Sequence, residues 1–331
     1  MRLQRKALIV GIDFYESDYI SPLFGCVNDA EEVNKKLKRH YDEEINFDTE
    51  LKTATNQGSL ITRTDLKEAV KELFKDELEI AFFYFSGHGY VESTGGFLVT
   101  SDCKYGDDGL SLNELMTIAN SSKVKNKIII LDCCHSGITG KLTLNKDLSL
   151  LSEGLTILTA SGEHEYAIEE NGSGVFTNLF IDALGGSAAD IVGNVTPGAI
   201  YTHIDQSLGL WSDQRPMFKT NVKYFTTLRK TRPSISKEDL RKLTTYFEEK
   251  DSKFELDPSF EPERCNEDEK IYPPPVKTNT EAFKILQKYN RLNLLVPVDA
   301  PHMWHAAMQS KSCKLTSLGQ HYWKLVNKGR I

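Results

Sequence analysis

The stretch "KIIILDCCHSG", residues 127–137, runs through four aliphatic residues, halts at Asp132, and then sets Cys133, Cys134 and His135 before a Ser-Gly turn. An unbroken apolar run of this length, bounded by polar residues, reads as a strand buried on both faces. Runs of the same kind stand on either side: "KALIVGID" (6–13), "EIAFFYFSGHG" (79–89), "GFLVTSD" (96–102) and "GLTILTAS" (154–161). Between them lie segments with helical periodicity: "CVNDAEEVNKKLKRHY" (26–41), "TRTDLKEAVKELFKD" (62–76) with Thr64 or Asp65 as its expected cap, "LSLNELMTIANSS" (110–122) with Ser111 and Glu114 spaced as a capping box, and "GVFTNLFIDALGG" (174–186). Strands alternating with helices predict an α/β fold, a mostly parallel sheet sandwiched by helices.

In such sheets, chemistry gathers at the carboxyl ends of the strands. Three polar clusters fall there: Asp13, then Ser86-Gly87-His88-Gly89, then Asp132-Cys133-Cys134-His135. Adjacent thiols make poor ligands for one ion, and the chain has no CxxC pair, so neither a zinc site nor a dithiol redox pair is expected. Cys133 reads as a small buried residue. Cys134, before a tight turn and with a glycine-flanked His88 on a neighbouring strand, has the setting of a nucleophile. His135 is the lesser candidate base, because it follows the thiol directly.

Six cysteines in 331 residues do not form a disulfide framework, no apolar run is long enough to span a bilayer, and the basic start leads into a first core strand. A reducing, cytoplasmic setting is expected, with no membrane partner. The net charge of −7 is unevenly spread. Residues 229–331 hold 19 basic and 14 acidic residues, and residues 277–331 hold 9 and 2. Two regions of opposite charge suggest two tasks. The expected organisation is a first domain over 1–229, a charged and Pro-rich connecting region over 230–276, and a small basic α(+β) domain over 277–331, winged-helix-like, with helix, strand, helix and helix in order.

"YFSGHG" together with "LDCCHSG" resembles the caspase-like cysteine peptidases, in particular the metacaspase-type branch. His88 and Cys134 are 46 residues apart, close to the His-to-Cys spacing of caspase-type enzymes. "ALIVGID", "LTASGEHEYAIE", "GVFTNLFIDAL" and "QRPMF" extend the resemblance over residues 6 to about 226. It implies a cysteine endopeptidase, a hydrolase that needs no cofactor, with Cys134 as nucleophile, His88 as acid/base, and the N–H groups of Gly89 and Cys134 as the oxyanion hole.

Caspases proper carry Gln two residues before the nucleophile, where this chain has Asp132. By resemblance Asp132, Asp13 and, less directly, Ser161 line the pocket for the residue before the cut. Carboxylates there favour Arg or Lys over Asp. Asp13 could also cap a turn. Residues 138–154 form the linker often cut in relatives, with Lys141 and Lys146 as candidate processing sites. Some relatives bind calcium; Asp102, Asp107 and Asp108 fit that pattern poorly and read better as a solvated turn.

Bacterial relatives act as effectors of antiviral defence switched on by nucleotide-derived signals. The basic C-terminal region, with Tyr289, Trp304, Tyr322 and Trp323, is therefore expected either to bind a nucleotide second messenger or to dock on the acidic domain, rather than to bind nucleic acid. His302, His305 and His321 read as packing or surface residues. Two rivals remain: a non-enzymatic scaffold on the same fold, and a nucleic-acid-binding regulator.

Overall fold

A computed structural model describes residues 4–93, 95–133, 151–160, 169–170, 173–209, 212, 215–264 and 271–331. Cys134, His135, Lys141, Lys146 and Ser161 lie outside these residues. The chain forms two compact units, Met1–Arg232 and Pro233–Ile331.

The first unit begins with β1 (Arg5–Ile12), α1 (Cys26–Lys38), β2 (Asp48–Ala54), α2 (Arg63–Lys75) and β3 (Ile80–Ser86). A small excursion follows, β4 (Gly89–Glu92), β5 (Gly95–Leu98) and β6 (Leu110–Ser111), and then α3 (Leu112–Ser121) and β7 (Asn126–Asp132). The unit continues with β8 (Leu155–Thr159), the two-residue strands β9 (Glu169–Glu170) and β10 (Ser173–Gly174), α4 (Val175–Asp182) and β11 (Asn194–Val195). It closes with α5 (Pro197–Leu208), β12 (Met217–Asn221) and β13 (Arg229–Lys230).

Six strands form one sheet in the order β12-β8-β7-β3-β1-β2, parallel except for β12, which runs antiparallel along β8. The buried strands read as continuous apolar runs because both faces are covered. Alternate residues serve opposite faces: Leu8, Phe83, Phe85, Ile129 and Leu131 pack with Leu66, Val70 and Leu115 of α2 and α3. Ile9, Phe82, Tyr84, Ile128 and Ile130 pack with Val33, Leu37, Phe176, Phe180 and Ile204 of α1, α4 and α5. "GFLVTSD" is not part of this sheet: β5 pairs with β4 and β6 in a separate three-stranded ribbon.

The helix ends differ from the expected ones in detail. Thr62, rather than Thr64 or Asp65, caps α2. Its hydroxyl accepts the Asp65 N–H at 3.1 Å, and the Asp65 carboxylate accepts the Thr62 N–H at 3.1 Å, a reciprocal box that opens two to three residues earlier. Ser111 caps α3 by accepting from the Asn113 N–H at 3.2 Å, while Glu114 pairs with Arg63 and Lys67 instead of closing a box.

The second unit holds α6 (Lys237–Arg241), α7 (Leu243–Tyr246), β14 (Lys253–Glu255), a 3-10 turn (Pro258–Phe260), α8 (Lys277–Arg291), β15 (Leu295–Val298), α9 (Met303–Met308), β16 (Ser312–Leu315) and α10 (Ser317–Asn327). Its antiparallel sheet has the order β14-β16-β15. Residues 230–276, expected to connect two domains, give this sheet an edge strand, and Phe247 and Phe260 from the same stretch are buried. Much of that stretch is therefore structural in the second unit. The strand β16 was also not expected: "SCKL" is too short and mixed for its period to stand out.

Candidate active site

Strand order makes the site. The chain goes from β1 to β2 on one side, then returns to place β3 on the other side of β1. That reversal opens a crevice at the carboxyl ends of β1 and β3, where doubly wound sheets hold their ligands. Asp13 and Tyr15 follow β1, and Gly87 and His88 follow β3. On the next strand over, Asp132 stands opposite Ser86 in the parallel register, so the "CC" pair begins at this same edge of the sheet.

His88 is fixed from two directions. Its backbone N–H donates to the Tyr15 hydroxyl at 2.9 Å, and its Nε2 lies 2.8 Å from the Ser21 carbonyl oxygen. A carbonyl can only accept, so Nε2 carries the proton and Nδ1 is the nitrogen left with a lone pair. The Tyr15 phenol donates to the Ile12 carbonyl at 3.2 Å, and its ring lies 5.0 Å from the imidazole. Burial pushes the Tyr15 hydroxyl well above its ordinary range, so it stays a neutral donor and acceptor. Gly87 makes this turn a close fit: a Cβ there would lie 3.0 Å from the Phe85 ring and 3.1 Å from the Tyr15 oxygen, so one of these rings would have to give.

Next to the histidine lies a group of carboxylates. Half-buried Asp13 accepts the Cys26 N–H at 2.9 Å, and burial raises its carboxyl above the usual range against the hydrogen bonds from Cys26 and Val27. Gly11 lets α1 come this close, since a Cβ there would sit 2.3 Å from the Cys26 carbonyl oxygen. Asp132 is buried and accepts the Thr177 hydroxyl at 2.5 Å; Thr177 in turn is 2.6 Å from the Tyr84 hydroxyl, which must therefore donate to it. Asp29, also buried, accepts the Gly174 N–H at 3.1 Å. A Cβ on Gly174 would stand 2.8 Å from an Asp132 oxygen and 3.3 Å from an Asp29 oxygen, so these two carboxylates converge on one glycine. Burial, followed by the fields of Asp132, Asp13 and Asp29, pushes the neighbouring Cys26 thiol up against its hydrogen bond with Ser86, leaving it an inert thiol.

Of the sequence candidates, His88, Gly89, Asp13 and Asp132 thus share one edge of the sheet. Cys133 is buried in the core on the α2 and α3 side, as a small packing residue should be. Cys134, Ser161, Lys141 and Lys146 lie outside the described residues. Asp102 and Asp108 have other work. Asp102 accepts from the Arg63 N–H and the Thr100 hydroxyl, and Asp108 from the N–H groups of Lys104 and Gly106. Among the described residues no group of three or more His, Cys, Asp or Glu side chains is placed to hold a metal ion, and no helix is long and apolar enough to cross a membrane. The sequence reading missed Asp29, Tyr15 and Ser21. Asp29 was hidden because an acid in the first turn of a helix ordinarily serves the helix dipole.

A family model for the caspase domain matches residues 4–245. Among solved structures, caspase-1 from Spodoptera frugiperda superposes with a TM-score of 0.51 at 12% identity, covering 69% of this chain and 93% of its own. Protein GSU0716 from Geobacter sulfurreducens does so with a TM-score of 0.50 at 16% identity, covering 69% and 97%. At such identities the likeness is one of fold. No curated protein matches the sequence.

Proposed function

Since the chain belongs to the caspase family of cysteine peptidases, we propose that it is an endopeptidase of metacaspase type that cuts after Arg or Lys through a Cys134–His88 pair. The observation that carries this reading is the 2.8 Å contact between His88 Nε2 and the Ser21 carbonyl, which leaves Nδ1 as the basic nitrogen. In the proposed reaction Nδ1 takes the Cys134 proton and the thiolate attacks the scissile carbonyl carbon. The N–H groups of Gly89 and Cys134 receive the oxyanion. The imidazolium returns its proton to the leaving amine, and the acyl-thioester is then hydrolysed by a water that His88 deprotonates.

Basic specificity is supported by Asp13 and Asp132, to which the structure adds Asp29. Three carboxylates around one crevice favour a cation and oppose an aspartate by the same field. Asp13, half-buried, is the one open to direct contact; the two buried carboxylates act through their charge. Ser161 would complete the pocket, and Lys141 and Lys146 would be sites of self-cleavage. The C-terminal region, basic over residues 277–331, would gate the enzyme in response to a nucleotide-like signal in a bacterial cytoplasm, as an effector of antiviral defence.

Wild type, Cys134→Ala and His88→Ala are to be compared on fluorogenic peptides ending in Arg, Lys or Asp, with and without candidate nucleotides and calcium. Cleavage after Arg and Lys, lost in both variants, is the expected result. Hydrolysis of the Asp peptide alone would overturn the pocket, and activity surviving in Cys134→Ala would overturn the mechanism.

A further inference from the structure

Two exposed tyrosines meet on the loops that follow β1 and β5, and one of these loops also holds the ring of His88. Tyr19 and Tyr105 are 79% and 64% exposed, yet their rings meet with centroids 5.5 Å apart. Exposed aromatic residues are common one by one, but two that touch make a small contiguous patch of the kind that binding grooves use. The loops presenting the two rings are built with care. The Ser17 hydroxyl donates to the Lys104 carbonyl at 2.7 Å and accepts the Tyr19 N–H at 3.2 Å, while the Glu16 N–H donates to the Ser101 carbonyl at 2.9 Å. On the other side the Asp108 carboxylate accepts the N–H groups of Lys104 and Gly106 at 2.8 and 3.2 Å, which shapes the turn that carries Tyr105. Gly106 has φ +103°, and a Cβ there would lie 3.0 Å from the Tyr90 ring, so Tyr90 supports the turn from below.

The segments that carry the pair also reach the proposed catalytic histidine. Tyr90 follows His88 by two residues, and Tyr19 precedes by two the Ser21 whose carbonyl holds His88 Nε2. The loop that carries Tyr19 is therefore the one that meets the imidazole at Nε2. The acid carboxylates serve the residue before the cut, and His88 hands its proton to the amine that leaves. The peptide beyond the cut bond must pass the histidine.

We propose that the Tyr19–Tyr105 pair is a subsite for an apolar or aromatic side chain in the segment following the cut bond. This rests on the reading of His88 and Cys134 as the catalytic pair. Ring-on-ring or ring-on-aliphatic contact on such a shelf is worth up to about tenfold in affinity.

The test uses the full chain carrying Cys134→Ala, so that binding is read without turnover. Dye-labelled peptides with Arg followed by Leu-Phe or by Ser-Gly are compared by fluorescence anisotropy. The Leu-Phe peptide should bind up to about tenfold tighter, and Tyr19→Ala or Tyr105→Ala on this background should abolish the difference, whereas Tyr105→Phe should retain it. Thermal unfolding of each variant confirms that these exposed positions leave the fold intact. The same two peptides are then given to the chain with Cys134 intact. Absence of a binding preference, or a preference that survives loss of both rings, overturns the shelf whether or not the peptides are cut. A preference that depends on the rings, with neither peptide cleaved, upholds the shelf and counts against the proteolytic reading.

Discussion

The hydroxyl of Tyr15 accepts the backbone N–H of His88 at 2.9 Å, tying the loop after β1 to the turn after β3 across the crevice. The turn contains Gly87, whose backbone freedom would otherwise let the imidazole wander. Tyr15→Phe keeps the ring and removes this acceptor. With His88 as the proposed base, it should lower kcat by about tenfold with little change in KM, because a misplaced base is felt in the transition state more than in binding. Steady-state kinetics would check this, and an unchanged kcat would reduce Tyr15 to a packing residue.

Asp29→Asn separates charge from structure in the proposed pocket. The amide oxygen can still accept the Gly174 N–H, so the turn before α4 is kept while one negative charge is lost. The kcat/KM ratio for an Arg peptide over a neutral analogue should fall by about tenfold. Asp13→Asn should do the same near neutral pH. In wild type the preference should also decline on acidification earlier than an ordinary aspartate would predict, since burial holds the Asp13 carboxyl high. Equal ratios in wild type and both variants would remove these carboxylates from specificity.

Thr177 relays between two buried groups, donating to Asp132 and accepting from Tyr84. Thr177→Val preserves shape and deletes both bonds. A loss of about 1–3 kcal/mol in unfolding free energy is expected, read from the shift of a denaturant midpoint at constant slope.

His40 gives the first unit a pH dependence of known sign. Burial, then the charges of Arg5 and Lys230, push it down to about 4 from 6.5, and its Nδ1 accepts the Lys230 N–H at 3.1 Å. Between these two values the unfolded chain binds the proton and the folded one resists it. Stability should therefore fall as the pH drops from 6.5 toward 4 and be indifferent to His40 above that window. His40→Gln, which can still accept from Lys230, should flatten the slope in thermal melts taken across the window. An unaltered slope would assign the acid sensitivity elsewhere.

Much of this was legible in the chain. Strongly apolar runs such as "AFFYF" and "KIIIL" admit little besides a doubly covered strand, and the polar residues at their ends mark the site edge. What escaped was set by neighbours rather than by local pattern. β2 is half-exposed and mixed, β12 follows no alternation that separates it from a loop, and the second unit's edge strand is only three residues long. Tyr15 and Ser21 take their roles from the reversal in strand order, which brings β1 beside β3. Nothing in the sequence near either residue announces it.

The placement of residues 134–150 between β7 and β8 has a mechanical consequence. Those strands are parallel neighbours in the middle of the sheet, paired from Lys127↔Leu155 to Leu131↔Thr159. The chain resumes under its own fastenings: Asn120 accepts the Ser152 N–H at 2.9 Å, Asn221 donates to the Leu151 carbonyl at 2.8 Å, and the Lys127 ammonium donates to the Glu153 carbonyl at 2.8 Å. A cut at Lys141 or Lys146, the proposed processing sites, would sever the covalent chain without unpairing β7 and β8, which stay bonded to each other and to their outer neighbours. Such a molecule would run as two pieces on a denaturing gel and as one in gel filtration. Such cleavage would leave the first unit as two interlocked polypeptides.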